Sequence, residues 1–135
     1  MADETTLMNE TEIPIPFKVA DGAGIEKGAI LRLTESMTVI INSGAGQKIA
    51  GILQAEKIAN DGVTMVSVFM GGIFKGVAAA SIAIGVPIQI SATENRLETA
   101  SSASGASIIG YALEAPSGAG QTFMFVLKPG LGGEK

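Results

Sequence analysis

The sequence predicts an all-β protein: a small β-barrel or sandwich built from two related β-units, with at most one short helix, at about residues 77–84, and an extended N-terminal arm. Three observations predict it. A hairpin-like stretch occurs twice, the apolar runs are short and punctuated by glycine, and nothing alternates long helical with strand periodicity as βαβ units do. The repeat is the most informative. Ile49–Gly72 and Ile108–Gly130 share one order: a glycine opening a short apolar strand, an acidic residue, a glycine-containing turn and a long apolar strand. At a constant offset of 58, Gly62, Thr64, Val68 and Gly72 fall on Gly120, Thr122, Val126 and Gly130. Met65, Val66 and Phe69 fall on Phe123, Met124 and Leu127, apolar on apolar. Gly28–Leu33 precedes the first copy as Gly85–Ile90 precedes the second.

At 135 residues, the chain is most simply one domain, 47% hydrophobic but only 4% aromatic, with 18 glycines cutting it into short pieces. Such a composition suits many short strands whose core is filled by small residues. The expected organisation is an arm over 1–20, a single β domain over 21–130 containing the repeat, and a flexible tail over 131–135.

Each element follows from local chemistry. Residues 1–12 are acidic and without periodicity, so they read as a disordered tail. Ile13-Pro14-Ile15-Pro16-Phe17 cannot be a helix and cannot donate to a central ladder, leaving an extended or edge segment. Its period of two points Ile13, Ile15 and Phe17 to one side, a strip suited to lying against another surface. Asp21–Gly24 is a turn, and Gly28–Thr34 and Met37–Asn42 are strands. Lys48–Ala55 and Val63–Met70 flank the turn Asn60-Asp61-Gly62, where Asp-Gly between apolar runs signals a hairpin. Gly71-Gly72 breaks the chain before Ile73-Phe74-Lys75. Val77–Ile84 is the one segment with helix-forming alanines, closed by Gly76 and Gly85. Strand Val86–Ser91, a turn at Thr93–Arg96, a loop at Ser101–Gly105, strand Ser107–Glu114, a turn over Pro116–Gly120 and strand Thr122–Lys128 complete the chain.

The composition excludes several functions. The net charge of −4 sits in Asp3, Glu4, Glu10 and Glu12, and the remaining acids and bases cancel. No basic stripe exists to neutralise phosphates, so nucleic acid is not an expected partner. Gly76–Thr93, the longest uncharged stretch, is too broken and polar to span a bilayer, and MADETTLMNE lacks the regions of a signal peptide. The protein is therefore expected to be soluble and without a membrane partner.

With no histidine and no cysteine, the chain cannot assemble a Ser-His-Asp or Cys-His arrangement or a thiolate zinc site. Neither cofactor nor metal is expected. Glu56 and Glu114, at nearly equivalent repeat positions, are the one candidate carboxylate pair; their bland reading is solvent-facing strand ends. Gly22-Ala23-Gly24 and Gly44-Ala45-Gly46 begin like phosphate loops. Lys27 and Ile49 stand where the third glycine belongs, so turn chemistry accounts for both. The sequon Asn9-Glu10-Thr11 has no meaning without a secretory signal.

What remains is binding through shape. Met65–Met70 and Phe123–Leu127 are apolar on both faces, and such strands must be covered on both. A small barrel covers one. The other is covered either by a copy of the chain, which makes Met65, Val68, Phe69, Phe123 and Phe125 the expected oligomer interface, or by the chain's own loops and the Val77–Ile84 segment.

The order of motifs resembles that of the capsid cement, or head decoration, proteins of tailed bacterial viruses. It is carried by Gly28-Ala29-Ile30-Leu31, Ala50-Gly51-Ile52, Gly62–Val68, Gly72-Ile73-Phe74, Ile82–Ile88 with its Gly85-Val86-Pro87, Ile109–Ala112 and Phe125-Val126-Leu127. It covers roughly Gly22 to Pro129. Val86 departs from the acidic residue expected after Gly85, and the acidic arm is longer than expected. The resemblance implies a non-enzymatic virion protein, soluble in the host cytoplasm before assembly. It would bind the major capsid protein on the outer capsid surface, bridge capsomers, and act as a homo-oligomer, most often a trimer. Ile13, Pro14, Ile15, Pro16 and Phe17 become the expected capsid-binding residues, ordering against the shell by adding a strand to a capsid sheet edge. The alternative function is a small-ligand or carbohydrate-binding β-module of a viral tail or cell surface.

Overall fold

The computed structural model describes residues 3–11, 13–42, 48–91, 95–100 and 108–129. Eleven strands form among them: β1 Thr6–Asn9, β2 Ile15–Lys18, β3 Ile30–Glu35, β4 Thr38–Ile41, β5 Ile49–Leu53, β6 Met65–Phe69, β7 Gly72–Val77, β8 Pro87–Ile90, β9 Leu97–Thr99, β10 Ile108–Ala112 and β11 Thr122–Leu127. Strands β2-β4-β3-β5-β6 close a barrel, and β1-β7-β11-β10-β8-β9 form a six-stranded sheet. The all-β expectation holds.

The duplication runs further than the hairpin legible in the sequence. Register identifies β2 to β6 with β7, β8, β9, β10 and β11 in turn. In the first unit Ile30, Leu31 and Arg32 face Ile52, Gly51 and Ile49; in the second Pro87, Ile88 and Gln89 face Tyr111, Gly110 and Ile108. Both ladders skip one residue, Ala50 and Ile109, which is a β-bulge just ahead of the glycine. Hydrogen bonds between strand ends repeat as well. Gly28 N donates to Leu53 O at 3.1 Å and Gly85 N to Ala112 O at 2.9 Å; Val19 N donates to Thr64 O at 3.0 Å and Ala78 N to Gln121 O at 2.8 Å. Even the parallel closure of the barrel, Lys18 with Thr38, has a relative in the single parallel bridge Ala78–Leu97. Strand β1 alone has no counterpart among the described strands.

This correspondence slides the constant-offset alignment by one residue in the last strand. Gly51 sits under Phe69 O, where an added Cβ would lie 2.0 Å away, and Gly110 sits under Val126 O at 1.7 Å. Matching those contacts places Val68 on Phe125 rather than on Val126. Packing agrees. Leu31, Val39, Leu53, Val68 and Ile25 fill the barrel with Phe17, Val19, Ala29 and Ala50. Their counterparts Ile88, Leu97, Ala112, Phe125 and Ile82 belong to a second core, which also takes in Ile30, Ile49, Ile52 and Phe69 from the barrel's outer face. The apolar second face of β5 and β6 is therefore covered by the chain's own second unit.

The short helix that the sequence allows at most, over 77–84, does not form: β7 runs through Val77, and the N–H groups that a helix would need go to other segments. Ala79 N donates to Leu97 O at 2.6 Å and Ile82 N to Pro116 O at 3.1 Å. The segment repeats the loop ending at Ile25, whose N–H donates to Lys57 O at 2.9 Å. Long-range pairing overrides the alanines' propensity. Nor is the leader a free arm. Its first part is β1 on the edge of the second sheet, and its second part is β2, a barrel strand paired with β6 through Ile15–Val68 and Phe17–Val66. Strand β9, only three residues long, has no signal in the sequence, which shows just the turn and loop on either side of it. The loops at 43–47 and 101–105 and the tail at 131–135 lie outside the described residues.

Candidate functional site

The residues singled out by sequence fall into two groups. Phe17, Val68, Phe69, Phe123 and Phe125 are buried within the chain's own cores. In this fold they cannot line a surface that meets another chain, because a side chain already enclosed has no area left to give. Phe74 shows how full that interior is: its ring lies 5.5 Å edge-on from Phe69 and 6.2 Å stacked from Phe125. Ile13, Ile15 and Met65 are at the surface, Ile13 with 81% of its area exposed. Pairing of β2 with β6 sets Pro16 opposite Ser67 and Lys18 opposite Met65. Met65 therefore lies at the other end of this pairing from Ile15, which faces Val68, and on the opposite face of the strand pair.

The leader is held at its far end by a polar socket that no local pattern announced. Asn95, buried, accepts a hydrogen bond from Ile30 N at 3.0 Å and donates to Asp3 O at 3.1 Å and Gly28 O at 3.0 Å. Thr5 Oγ1 donates to Gly28 O at 2.6 Å, and Arg96 Nε pairs with Asp3 Oδ2 at 3.2 Å. Gly28, at φ 85°, lets Glu4 pass so close that an added Cβ would lie 2.2 Å from its Cγ. Beneath β1 remains a crevice of about 220 Å³ bounded by Leu7, Ile52, Phe69 and Phe74. A second, of about 230 Å³, lies at the β5–β6 end beside Lys57 and Met65. Both fall below the roughly 300 Å³ at which small-molecule sites begin.

Lys57 is the other residue the sequence did not reveal. Its side chain is fully buried, and its ammonium donates to Asp61 Oδ1 at 2.7 Å, Asp21 Oδ1 at 2.9 Å, Ile58 O at 2.6 Å and Asp21 O at 3.2 Å. The same carboxylates accept from Gly62 N and Val63 N, at 3.0 and 2.9 Å. Turn Asp21–Gly24 and turn Asn60–Gly62, each predicted separately, are thereby bolted to one cation. Pro116 takes the place of Lys57 in the second unit, which has no such clamp. Burial alone would lower the ammonium's pKa, but its hydrogen bonds to Asp61 and Asp21 and their charges prevail and hold it above the ordinary 10.5. The hydrogen bond from Lys57, then that from Val63, hold Asp61 below the ordinary 3.8.

The pH dependence follows. A lowered Asp61 contributes stability that is complete above pH 3.8 and is lost as pH falls through its lower folded value. A raised Lys57 contributes stability that is complete below pH 10.5 and is lost as pH rises through its higher folded value. We expect Lys57→Met to be markedly destabilising, because two carboxylates and two carbonyls lose their donor. The gap between wild type and variant in urea melts should be flat at mid-pH and narrow at both extremes; a gap independent of pH would refute the clamp.

Of the carboxylate pair, Glu114 accepts from Met124 N at 2.9 Å and so caps its hairpin, while Glu56 is exposed at the other hairpin's end. No described hydrogen bond or ion pair joins them. Among the described residues no group of three carboxylates is arranged to hold a metal.

A doubled β-domain with two closed cores thus keeps Ile13, Ile15 and Met65 at its surface. The chain belongs to the phage cement protein family, whose pattern it matches over residues 11–127, and it is a structural component of a phage capsid. Among solved structures it is similar to the N base of head fiber gp8.5 of bacteriophage phi29. That similarity has a TM-score of 0.52 at 11% identity and covers 86% of this chain and 93% of that chain. At such identity the likeness is one of fold. Comparison with curated proteins gives no match.

Proposed function

We propose that the protein binds the outer surface of a tailed-phage capsid through the major capsid protein and cements the shell by bridging neighbouring capsomers. It acts as a homo-oligomer, with a trimer favoured, and is soluble in the host cytoplasm before assembly; it has no catalytic role. The observation that carries the reading is the exposure of Ile13 in a segment anchored on both sides, by β1 in one sheet and β2 in the other. An isoleucine held out in this way has its ordering entropy already met, so a partner gains its burial at little further cost. Ile13, Pro14, Ile15 and Pro16 form the capsid-binding ridge; Phe17 supports it from inside.

Deleting residues 1–17 would not test this cleanly, since it removes a barrel strand and the core residue Phe17. Ile13→Asp is the sharper change. Its exposed position keeps the melting temperature near wild type, while affinity for expanded capsids in co-sedimentation should fall about tenfold or more, the loss of ~1.4 kcal/mol or more from an unburied isoleucine. Wild-type binding by Ile13→Asp would remove the ridge from the mechanism. Neither of the two described crevices favours the ligand-binding alternative.

A further inference from the structure

The duplication allows one unit to be compared with the other at each position, and one position differs sharply. In the second unit β7 carries β1 on the edge away from β11, with Thr6 opposite Lys75 and Leu7 opposite Phe74. Phe74 faces Phe125 as Ile15 faces Val68, so Ile73, Phe74 and Lys75 correspond to Pro14, Ile15 and Pro16. On that edge of the first unit β4 is seated at Lys18, through its parallel pairing with Thr38, and no described strand pairs with the Pro14–Pro16 stretch on that side. Among the described residues the slot beside that stretch is filled in one unit and not in the other.

Strand geometry explains why. Along a strand, N–H and C=O groups of successive residues point alternately to either side. Val19 N donates to Thr64 O, just beyond the start of β6, whereas Lys18 N donates to Met37 O on the opposite side, at 2.7 Å. Pro16 and Pro14, two and four residues before Lys18, therefore face the open edge. Each offers a carbonyl there and neither offers an N–H. Ile73 and Lys75 have donors at the matching places. An antiparallel neighbour needs donors and acceptors in alternation, and β7 provides them where β2 does not.

We infer that Pro14 and Pro16 are specificity residues that close the first unit's edge to strand addition. They direct the leader strand to the second unit and keep the leader of another copy out of the vacant slot. One strand and one slot per chain then cannot propagate, whereas two slots would permit head-to-tail assembly without closure. The rim left behind consists of acceptors flanked by Ile13 and Ile15. A partner bonding to it must bring side-chain donors (arginine, lysine or amide) rather than a β-strand, which replaces the strand-addition mode expected from sequence. This inference stands whether or not the ridge binds a capsid.

The test uses the full chain and a fluorescent peptide with the sequence of residues 3–11. Pro14→Ala with Pro16→Ala should take up one more peptide per chain than wild type in anisotropy titrations, and its mass by light scattering should rise with concentration. Pro16→Ala alone, restoring a single donor, should fall between. Pro16 is exposed and Pro14 half-buried, and the variants are expected to melt close to wild type; should the double variant melt early, each single variant makes the same comparison. Equal peptide stoichiometry and equal, concentration-independent mass in wild type and variants would overturn the inference.

Discussion

Gly110→Ala should unfold the second unit. A Cβ at 110 would lie 1.7 Å from Val126 O, 2.9 Å from Val126 C and 3.2 Å from Lys128 N, all backbone atoms. A flexible side chain could swing away, but these atoms can retreat only by opening the β10–β11 ladder, in which Gly110 faces Leu127 and Lys128 N donates to Ile109 O at 2.8 Å. The loss belongs to the exceptional class of about 4 kcal/mol or more, against a typical domain stability of about 5–15 kcal/mol. Gly51→Ala, facing Phe69 O in the same way, should do comparable harm to the barrel. Gly118→Ala is the control: nothing lies within 4 Å of the added atom. Urea melts of the three variants check the register directly. If Gly110→Ala melts like Gly118→Ala, the pairing of β10 with β11 is wrong.

Phe125→Ala should cost about 3–5 kcal/mol, the range for removing a buried ring and leaving a cavity. Phe125 is fully enclosed, stacked on Phe74 at 6.2 Å and tilted against Phe123 at 5.8 Å. The apolar run it belongs to suggests an interface from sequence, and the two roles separate by experiment. An interior Phe125 makes the loss independent of protein concentration and leaves the oligomeric state of the folded fraction unchanged. An interface Phe125 would give a stable chain of lower mass. Sedimentation with chemical denaturation distinguishes them, and retained stability with lost association would overturn the interior placement.

The comparison of Phe125 with Met65 shows where sequence reasoning stops. Both stand in long apolar strands that read alike, and apolarity on both faces states that two covers are needed. It does not say what supplies the second cover. Here that cover is the chain's own second unit, so Val68, Phe69, Phe123 and Phe125 go inside while Met65, past the end of the covered area, stays out. Lys57 and Asn95 were illegible for a related reason. Asp61 lies four residues from Lys57, but Asp21, Asp3 and Gly28 are joined to Lys57 and Asn95 only by the fold, and no spacing along the chain encodes a contact such as that of Asn95 with Asp3.

By itself the sequence determined what local chemistry can determine. Glycine and proline set the ends of the strands, Asp-Gly and Pro–Gly stretches set the turns, and apolar alternation made the body β and duplicated at least its hairpin. The family was also legible, because a long ordered series of weak motifs constrains more than any one of them. Only the tertiary structure decided that the duplication spans five strands, that the leader belongs to the body, and that Val77–Ile84 is not a helix. The physical reason is that backbone hydrogen bonds must be satisfied somewhere, and which partner satisfies them depends on the edges left free once all the other strands have paired.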